Sequence, residues 1–352
     1  MVESTLASSE IPLVRAHDAV LLDLDGVVYR GALAVEHAAG AIAAVAAAGA
    51  SPVYVTNNAA RPPSVVADQL TSLGIPTDPA HVMTASLAAA AMLRKTLPAG
   101  ATVLCVGGPG LHEAVGSAGF RVVTSAQERP DAVAQGFGPQ VGWAELTEAA
   151  YAVAAGARYV ATNLDATLPT ERGMAVGNGS LVAAVVNATG VRPTSSGKPE
   201  AGIFHEAADL VRATRPIAVG DRLDTDLAGA RAAGIPGLHV LTGVSQVPDL
   251  LVAGAHERPA YLATDLRGLL EVHPAVVRDG EGYRCGDARA IAVGDAWGVV
   301  REGTLVPGER LADLTLDELR ALCVAVWAAA DAGTPVERSA LAAVPATVTP
   351  AP

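Results

Sequence analysis

Aromatic residues are scarce: Phe, Trp and Tyr make up 3% of the 352 positions, although 51% of the chain is hydrophobic. Alanine-rich stretches such as "AAGAIAAVAAAGA" (38–50) carry much of that content. The packed layers are therefore expected to be thin and closely spaced, in a chain long enough for two domains or one domain with a large insertion. Cysteine is equally sparse. Cys105, Cys285 and Cys323 are far apart, odd in number and in no metal-binding spacing. That excludes a disulfide framework and fits a reducing cytoplasm. Positive charge is in deficit, with a formal net charge of −12. A general nucleic-acid binder would need a basic face to displace counterions, so that class is excluded. No run of about 18 apolar residues is free of charges or breakers, and no membrane span is expected. The opening "MVESTLASSEIPLVRAHD" lacks a basic segment followed by an apolar one, so no signal peptide is expected.

What is present is alternation. "AVLLDLD" (19–25) reads as a strand, 36–49 as a helix, "SPVYVTNN" (51–58) as a strand and "SVVADQLTSLG" (64–74) as a helix. The pattern continues through "ATVLCVGG" (101–108), helix 110–119, "DAVAQGF" (131–137) and "ARYVATN" (157–163). After a polar break at "VRPTSSGKP" (191–199) it resumes with "RPIAVGD" (215–221), helix 225–234 and "PGLHVLTG" (236–243). Continuous apolar strands alternating with helices predict an α/β fold, a parallel sheet covered on both faces. Beyond about residue 273 the texture changes. Gly-punctuated short runs over 275–303 predict antiparallel strands, and "TLDELRALCVAVWAAADAG" (315–333) is a strongly periodic helix. Together they suggest a small α+β module, with a disordered tail over 341–352.

The strand at 19–25 ends in two carboxylates, Asp23 and Asp25, two positions apart. On a strand such residues share a face, and at the carboxyl end of a parallel sheet that face meets ligands. Two close carboxylates need a cation or a proton between them. A calcium loop starting at Asp23 fails, because its sixth and twelfth positions are Val28 and Ala34. "YVTNN" (54–58) ends the next strand with a hydroxyl and two amides able to hold a phosphate oxygen. "SGKP" (196–199) offers one lysine on a loop; Pro199 stands where a Walker loop requires Ser or Thr. "AVGDRLDTDLAGA" (218–230) ends a further strand in Asp221, Asp224 and Asp226. Each signal alone is weak, and each residue has an ordinary turn or strand role. Their joint occurrence, in this order, at strand ends or adjacent loops is not weak.

The quadruple "DLDGVVYRG", "VTNN", "SGKP" and "GDRLDTD" resembles the haloacid dehalogenase superfamily, in its 4-nitrophenylphosphatase-like branch, over about residues 15–272. The resemblance implies a Rossmann-like core at 15–84 and 192–272, with a large inserted α/β cap at 85–191. The module at 273–340 is similar to the C-terminal extension of actinobacterial members, which look like glycerol-3-phosphate phosphatases. The activity implied is Mg²⁺-dependent hydrolysis of a small phosphorylated metabolite, foremost glycerol 3-phosphate. 2-Phosphoglycolate, a nucleotide monophosphate or a non-catalytic ligand-binding regulator are the alternatives.

Carried over by motif, Asp23 would be the nucleophile and Asp25 the general acid and base. Lys198 would offset negative charge. Thr56, Asn57 and Asn58 would bind the phosphoryl group. Mg²⁺ would be held by Asp23, the backbone carbonyl of Asp25 and Asp221, with Asp226 and Asp224 orienting its surroundings. Zinc is not expected, since no histidine pair is four residues apart and none neighbours a cysteine. In the cap, Asn163, Asp165 and Arg172 are candidates for the substrate's non-phosphate end, with structural turn roles an equal alternative.

Three features could mislead. "VGGPG" (106–110) differs from G-x-G-x-x-G, and is expected to be a strand–turn–helix junction. The second "VGD" (293–295) has no following acids and is expected to be a hairpin turn. The C-terminal module lacks the pyrophosphate loop of an acetyltransferase, because "RDGEG" has the wrong spacing. Its helix is expected to pack the module onto the core, or to serve a subunit interface in a homo-oligomer, through Leu316, Leu319, Leu322, Cys323 and Val326.

Overall fold

A computed structural model describes residues 6–170, 172–293, 296–335, 344 and 347–349. The chain divides into two compact units, one comprising 1–52 with 213–352, the other 53–212. Both are built around parallel strands, as the alternation predicts.

In the first unit, Ala19–Leu22 pairs in parallel with Pro216–Gly220, which pairs with Gly237–Val240, which pairs with Tyr261–Ala263. All four residues of Ala19–Leu22 are buried, which explains the unbroken apolar run. Asp18, just before it, accepts hydrogen bonds from the Thr214 amide and hydroxyl and from the Arg215 amide. Burial alone would raise its carboxyl, but the Thr214 and Arg215 bonds hold it at about 2.

The same unit contains the C-terminal region. Five antiparallel strands, Val276–Asp279, Gly282–Cys285, Ala288–Val293, Ala296–Arg301 and Thr304–Pro307, form a meander. Gly280, Gly286 and Gly303 supply the left-handed turn conformations that the Gly punctuation predicts. The "VGD" expected to turn between the third and fourth strands has Gly294 and Asp295 outside the described residues. Helix Leu316–Asp331 is capped by a reciprocal pair, Thr315 and Glu318. Leu316, Leu319, Leu322, Cys323 and Val326 are all buried, in one cluster with Leu223, Leu250, Leu251 and Leu262 of the parallel-sheet region. The helix face thus packs within its own chain. Of the tail 341–352, expected to be disordered, the described Val348–Thr349 pairs in parallel with Leu314–Thr315, contrary to that expectation.

In the second unit, the Tyr54–Thr56 end of strand Ser51–Thr56 pairs in parallel with Val82–Thr84. A five-stranded parallel sheet follows, in the order Thr194–Ser195, Arg158–Ala161, Ala132–Gln135, Thr102–Val106, Arg121–Val123. The short Thr194–Ser195 strand arises inside the stretch read as a break. "VGGPG" forms the junction between strand Thr102–Val106 and helix Pro109–Ser117. Its glycines admit neighbouring backbone. The Gly110 amide donates to the Ala60 carbonyl at 3.0 Å, and a Cβ at Gly110 would lie 2.7 Å from the Arg61 carbonyl group. Gly110→Ala should therefore lower the stability of the protein by about 1–3 kcal/mol, despite alanine's better helix propensity. A fall in the denaturant midpoint checks this; an unchanged or raised midpoint contradicts the close approach.

Candidate active site

Asp23, Asp221 and Asp226 converge in the first unit, each offering a carboxylate oxygen within 4.8 Å of the others. Asp23 follows the Ala19–Leu22 strand and is half-buried; its amide donates to the Val219 carbonyl at 2.9 Å, extending the ladder. Asp25 does not continue the strand alternation. The chain turns at Leu24, whose carbonyl accepts from the Val28 and Tyr29 amides, and Asp25 is exposed in that turn. The carboxylates gathered with Asp23 are thus those of the Pro216–Gly220 strand end, rather than its near neighbour in sequence.

Asp221 is fully buried. The Val244 amide donates to its Oδ2 at 2.6 Å, and the Ser245 amide to its carbonyl at 3.0 Å. A Cβ at Gly243 would lie 1.8 Å from that Oδ2, so only glycine allows the segment 241–246 to lie across the carboxylate. Beyond Asp221 the chain enters a π-helical turn, Leu223–Leu227, in which the Arg222 carbonyl accepts from both the Asp226 and Leu227 amides. Such turns recur at functional positions because they re-aim a side chain. Here Asp226 folds back against Gly220 and accepts from the Arg222 amide at 3.1 Å. Asp224 goes elsewhere. It is exposed and paired with the Arg222 guanidinium, outside the carboxylate cluster that sequence reasoning placed it beside.

The second unit gathers another group. Lys198 is buried, and its Nζ donates to the Val55 carbonyl at 3.1 Å. Asn57 is the hub: its Oδ1 accepts from the Lys198 amide at 2.8 Å, and its Nδ2 reaches the Lys198 carbonyl and Asp165 Oδ2, both at 3.1 Å. Asn163 Nδ2 donates to the Asn57 carbonyl at 2.8 Å, while Asn163 Oδ1 accepts from the Asp165 amide. Asn178, unforeseen from sequence, buttresses Asn163 by donating to its carbonyl at 2.7 Å. Thr56 and Asn58 organise the following turn: Thr56 Oγ1 accepts from the Asn58 amide and Asn58 Oδ1 from the Ala60 amide. Arg172 is not brought in. It is exposed at the turn of the hairpin Thr167–Thr170 and Gly173–Val176, beside the exposed Met174.

The residues missed from sequence are those of 241–246. "LTG" reads as the end of a strand, and the role of Gly243 as a turn over an acid depends on a partner, Asp221, far upstream in the sequence. Its position past a parallel strand's carboxyl end was the available signal.

A set of three carboxylates, two of them buried, is a hard-oxygen donor set suited to Mg²⁺, and without a cation their mutual repulsion would be costly. Sequence models describe the same regions. That of the haloacid dehalogenase-like hydrolases matches residues 20–121, and a second, of HAD-like hydrolases, matches 195–269. The chain is 44% identical over 257 residues to the D-glycerol 3-phosphate phosphatase of Mycobacterium tuberculosis, covering 73% of this chain and 72% of that protein.

The chain belongs to the haloacid dehalogenase-like hydrolases.

An acid sugar phosphatase of Staphylococcus saprophyticus is another relative of this hydrolase, 34% identical over 73% of this chain and 98% of its own. Among solved structures, glycerol phosphate phosphatase from M. tuberculosis in complex with magnesium superposes with a TM-score of 0.81 at 36% identity, covering 97% of this chain and 96% of that one. A thermostable NPPase from Geobacillus stearothermophilus gives 0.65 at 34% identity, over 71% and 96%. Rossmann-like parallel sheets with an added small sheet are thus the fold of this hydrolase, as its motifs imply.

Beneath the 241–246 segment lies His239, wholly buried, whose Nε2 meets the Ser245 carbonyl at 3.1 Å while Nδ1 has no hydrogen-bond partner. Burial pushes this imidazole down to about 4. Between about pH 6.5 and 4 the unfolded chain binds a proton that the native state refuses, so stability is lost as pH falls through that window. His239→Gln should remove this part of the acid limb. Denaturant titrations at pH 7 and 5 should show wild type losing about 2 kcal/mol more than the variant. Equal losses would contradict the neutral, buried imidazole.

Proposed function

We propose that this hydrolase is a Mg²⁺-dependent phosphomonoesterase acting on glycerol 3-phosphate. The observation that carries the reading is the convergence of Asp23, Asp221 and Asp226. The 44% identical glycerol 3-phosphate phosphatase and the magnesium-bound structure support the choice of substrate and metal.

Mg²⁺ held by Asp23, Asp221 and the Asp25 carbonyl, with Asp226 beside them, would neutralise charge on the phosphate oxygens and keep the acids ionised. The chain's own residues do the rest. The Asp23 carboxylate oxygen attacks phosphorus, forming an aspartyl-phosphate as the bond to the glycerol oxygen breaks. Asp25, in an exposed turn where its side chain can change partners, protonates the departing alkoxide. It then accepts a proton from the water that hydrolyses the intermediate, which returns Asp23 and releases phosphate. By the motifs they belong to, the Lys198 ammonium offsets negative charge of the transferring phosphoryl group, and Thr56 with the turn at Asn57 and Asn58 orients it. The Asn57 side chain acts by positioning, since its amide is engaged by Lys198 and Asp165. Asp165 and Asn163 border that group in the inserted cap, where the glycerol end is read. Asp224, paired with Arg222, contributes at most to the shape of the π-helical turn.

Cys105, Cys285 and Cys323 are free thiols, and no helix among the described residues is long and apolar enough to cross a membrane. Both facts support a cytoplasmic setting. The test is phosphate release from glycerol 3-phosphate, 2-phosphoglycolate and nucleotide monophosphates, with Mg²⁺ and with EDTA. Glycerol 3-phosphate should give the highest kcat/KM, EDTA should abolish turnover, and Asp23→Asn should reduce kcat by at least about 10³-fold while leaving thermal unfolding intact. Turnover persisting in EDTA, or in Asp23→Asn, would overturn the reading.

A further inference from the structure

The segment 241–246 is a strap across the buried Asp221. One end leaves the Gly237–Val240 strand, and the other runs straight into the five-residue helix Val247–Leu251. Its interior is tied to Asp221 and to the chain around the cluster at several points. Thr242 Oγ1 donates to the Gly26 carbonyl at 2.6 Å, and the Arg30 guanidinium donates to the Thr242 carbonyl. The Val244 amide donates to Asp221 Oδ2, and Ser245 Oγ accepts from the Leu223 amide at 3.2 Å. Gln246 Nε2 closes the strap on itself through the Leu241 and Gly243 carbonyls.

A helix of five residues does not hold its own position. This one is seated on the C-terminal helix Leu316–Asp331. Trp327 Nε1 donates to the Leu250 carbonyl at 2.8 Å, and Val247, Leu250 and Leu251 share a buried cluster with Leu322, Cys323, Val326 and Trp327. Arg258 completes the seat. Its guanidinium stacks 5.3 Å from the Trp327 ring, donates to the Ala253 carbonyl, and forms a two-pronged ion pair with Asp331 at 2.7 and 2.9 Å. Relatives of this family are covered at 98% and 96% by about three quarters of this chain, so the parallel core does not in general need a region of this extent.

We infer that the C-terminal region is a positioning element for the metal site, with Trp327 and the Arg258–Asp331 pair as the contacts that set the strap over Asp221. Trp327 touches neither metal nor substrate. It acts through Leu250, the helix and the Val244 amide, whose hydrogen bond fixes which Asp221 oxygen is presented to the cation. Hydrogen bonds to metal-binding carboxylates govern affinity in this way, because they set ligand orientation before the ion arrives. The inference rests on the divalent-metal reading above.

The test compares Mg²⁺ binding by the full-length protein, measured by titration calorimetry without substrate, with kcat at saturating Mg²⁺. Trp327→Phe keeps an aromatic ring but loses the pyrrole portion with its N–H donor, and Val299→Ala controls for the space it leaves. It should weaken Mg²⁺ binding about fivefold, the ratio that one net hydrogen bond represents, while kcat at saturating metal stays within about twofold. Val299→Ala, a cavity in the C-terminal sheet, should lower thermal stability and leave Mg²⁺ affinity unchanged. Asp331→Asn, on a half-exposed side chain, should weaken binding in the same direction and decides the matter alone if Trp327→Phe does not fold. Wild-type affinity in Trp327→Phe and Asp331→Asn, or an equal loss in Val299→Ala, would overturn the positioning role. Absence of Mg²⁺ binding by the wild type would overturn the metal reading and this inference with it.

Discussion

Three carboxylates brought within 4.8 Å of one another are the constraint around which the first unit is organised. Repulsion at that distance, with two of the acids buried, opposes the fold unless backbone donors and a cation answer it. The structure supplies the donors: the amide of Val244 at Asp221 and that of Arg222 at Asp226. Each requires a local irregularity. Gly243 admits the strap, Gly220 admits the Asp226 side chain, and the π-helical turn swings Asp226 back toward the strand it has just left. These departures from regular structure are where the chemistry is assembled, which is the expected place for strain and irregularity.

The second polar group follows a different logic. Lys198 is a buried cation, and Asn57 holds it from both its amide and its carbonyl while also gripping Asp165. With its backbone held by Asn57 and its buried Nζ donating to the Val55 carbonyl, the lysine delivers its charge at one place. The same network carries Asn163 and Asn178, which link the loop after one strand of the five-stranded sheet to the Asn57 turn. In a catalyst of phosphoryl transfer, where positioning and charge stabilisation supply most of the rate, such fixed groups are the functional content of the fold.

Much of this was legible in the sequence. Asp23, Asp221, Thr56 and Lys198 stand at strand ends or on adjacent loops, because continuous apolar runs stop there and carboxyl ends of parallel strands face ligands. The α/β alternation, the antiparallel texture beyond residue 273 and the long amphipathic helix also follow from local pattern. What local pattern could not supply were tertiary choices. Asp25 looked paired with Asp23 by strand alternation, but the chain turns at Leu24 and the partners come from another strand. Asp224 and Asp226 are equivalent in "DTD" until a π-helical turn sends one to Arg222 and the other to the cluster. Arg172 sits on a hairpin whose exposed tip no periodicity describes. Val348–Thr349 pairs as a strand although its composition reads as tail.

The central claim is that Asp23 supplies the oxygen that attacks phosphorus, beside a cation held by Asp23 and Asp221. The most direct measurement is a crystal structure grown with Mg²⁺ and beryllium fluoride, a tetrahedral mimic of a phosphoryl group on a carboxylate. The account predicts beryllium bonded to an Asp23 carboxylate oxygen, with Mg²⁺ ligated by Asp23 and Asp221. Beryllium fluoride bound to another residue, or Mg²⁺ held away from these two aspartates, would contradict it.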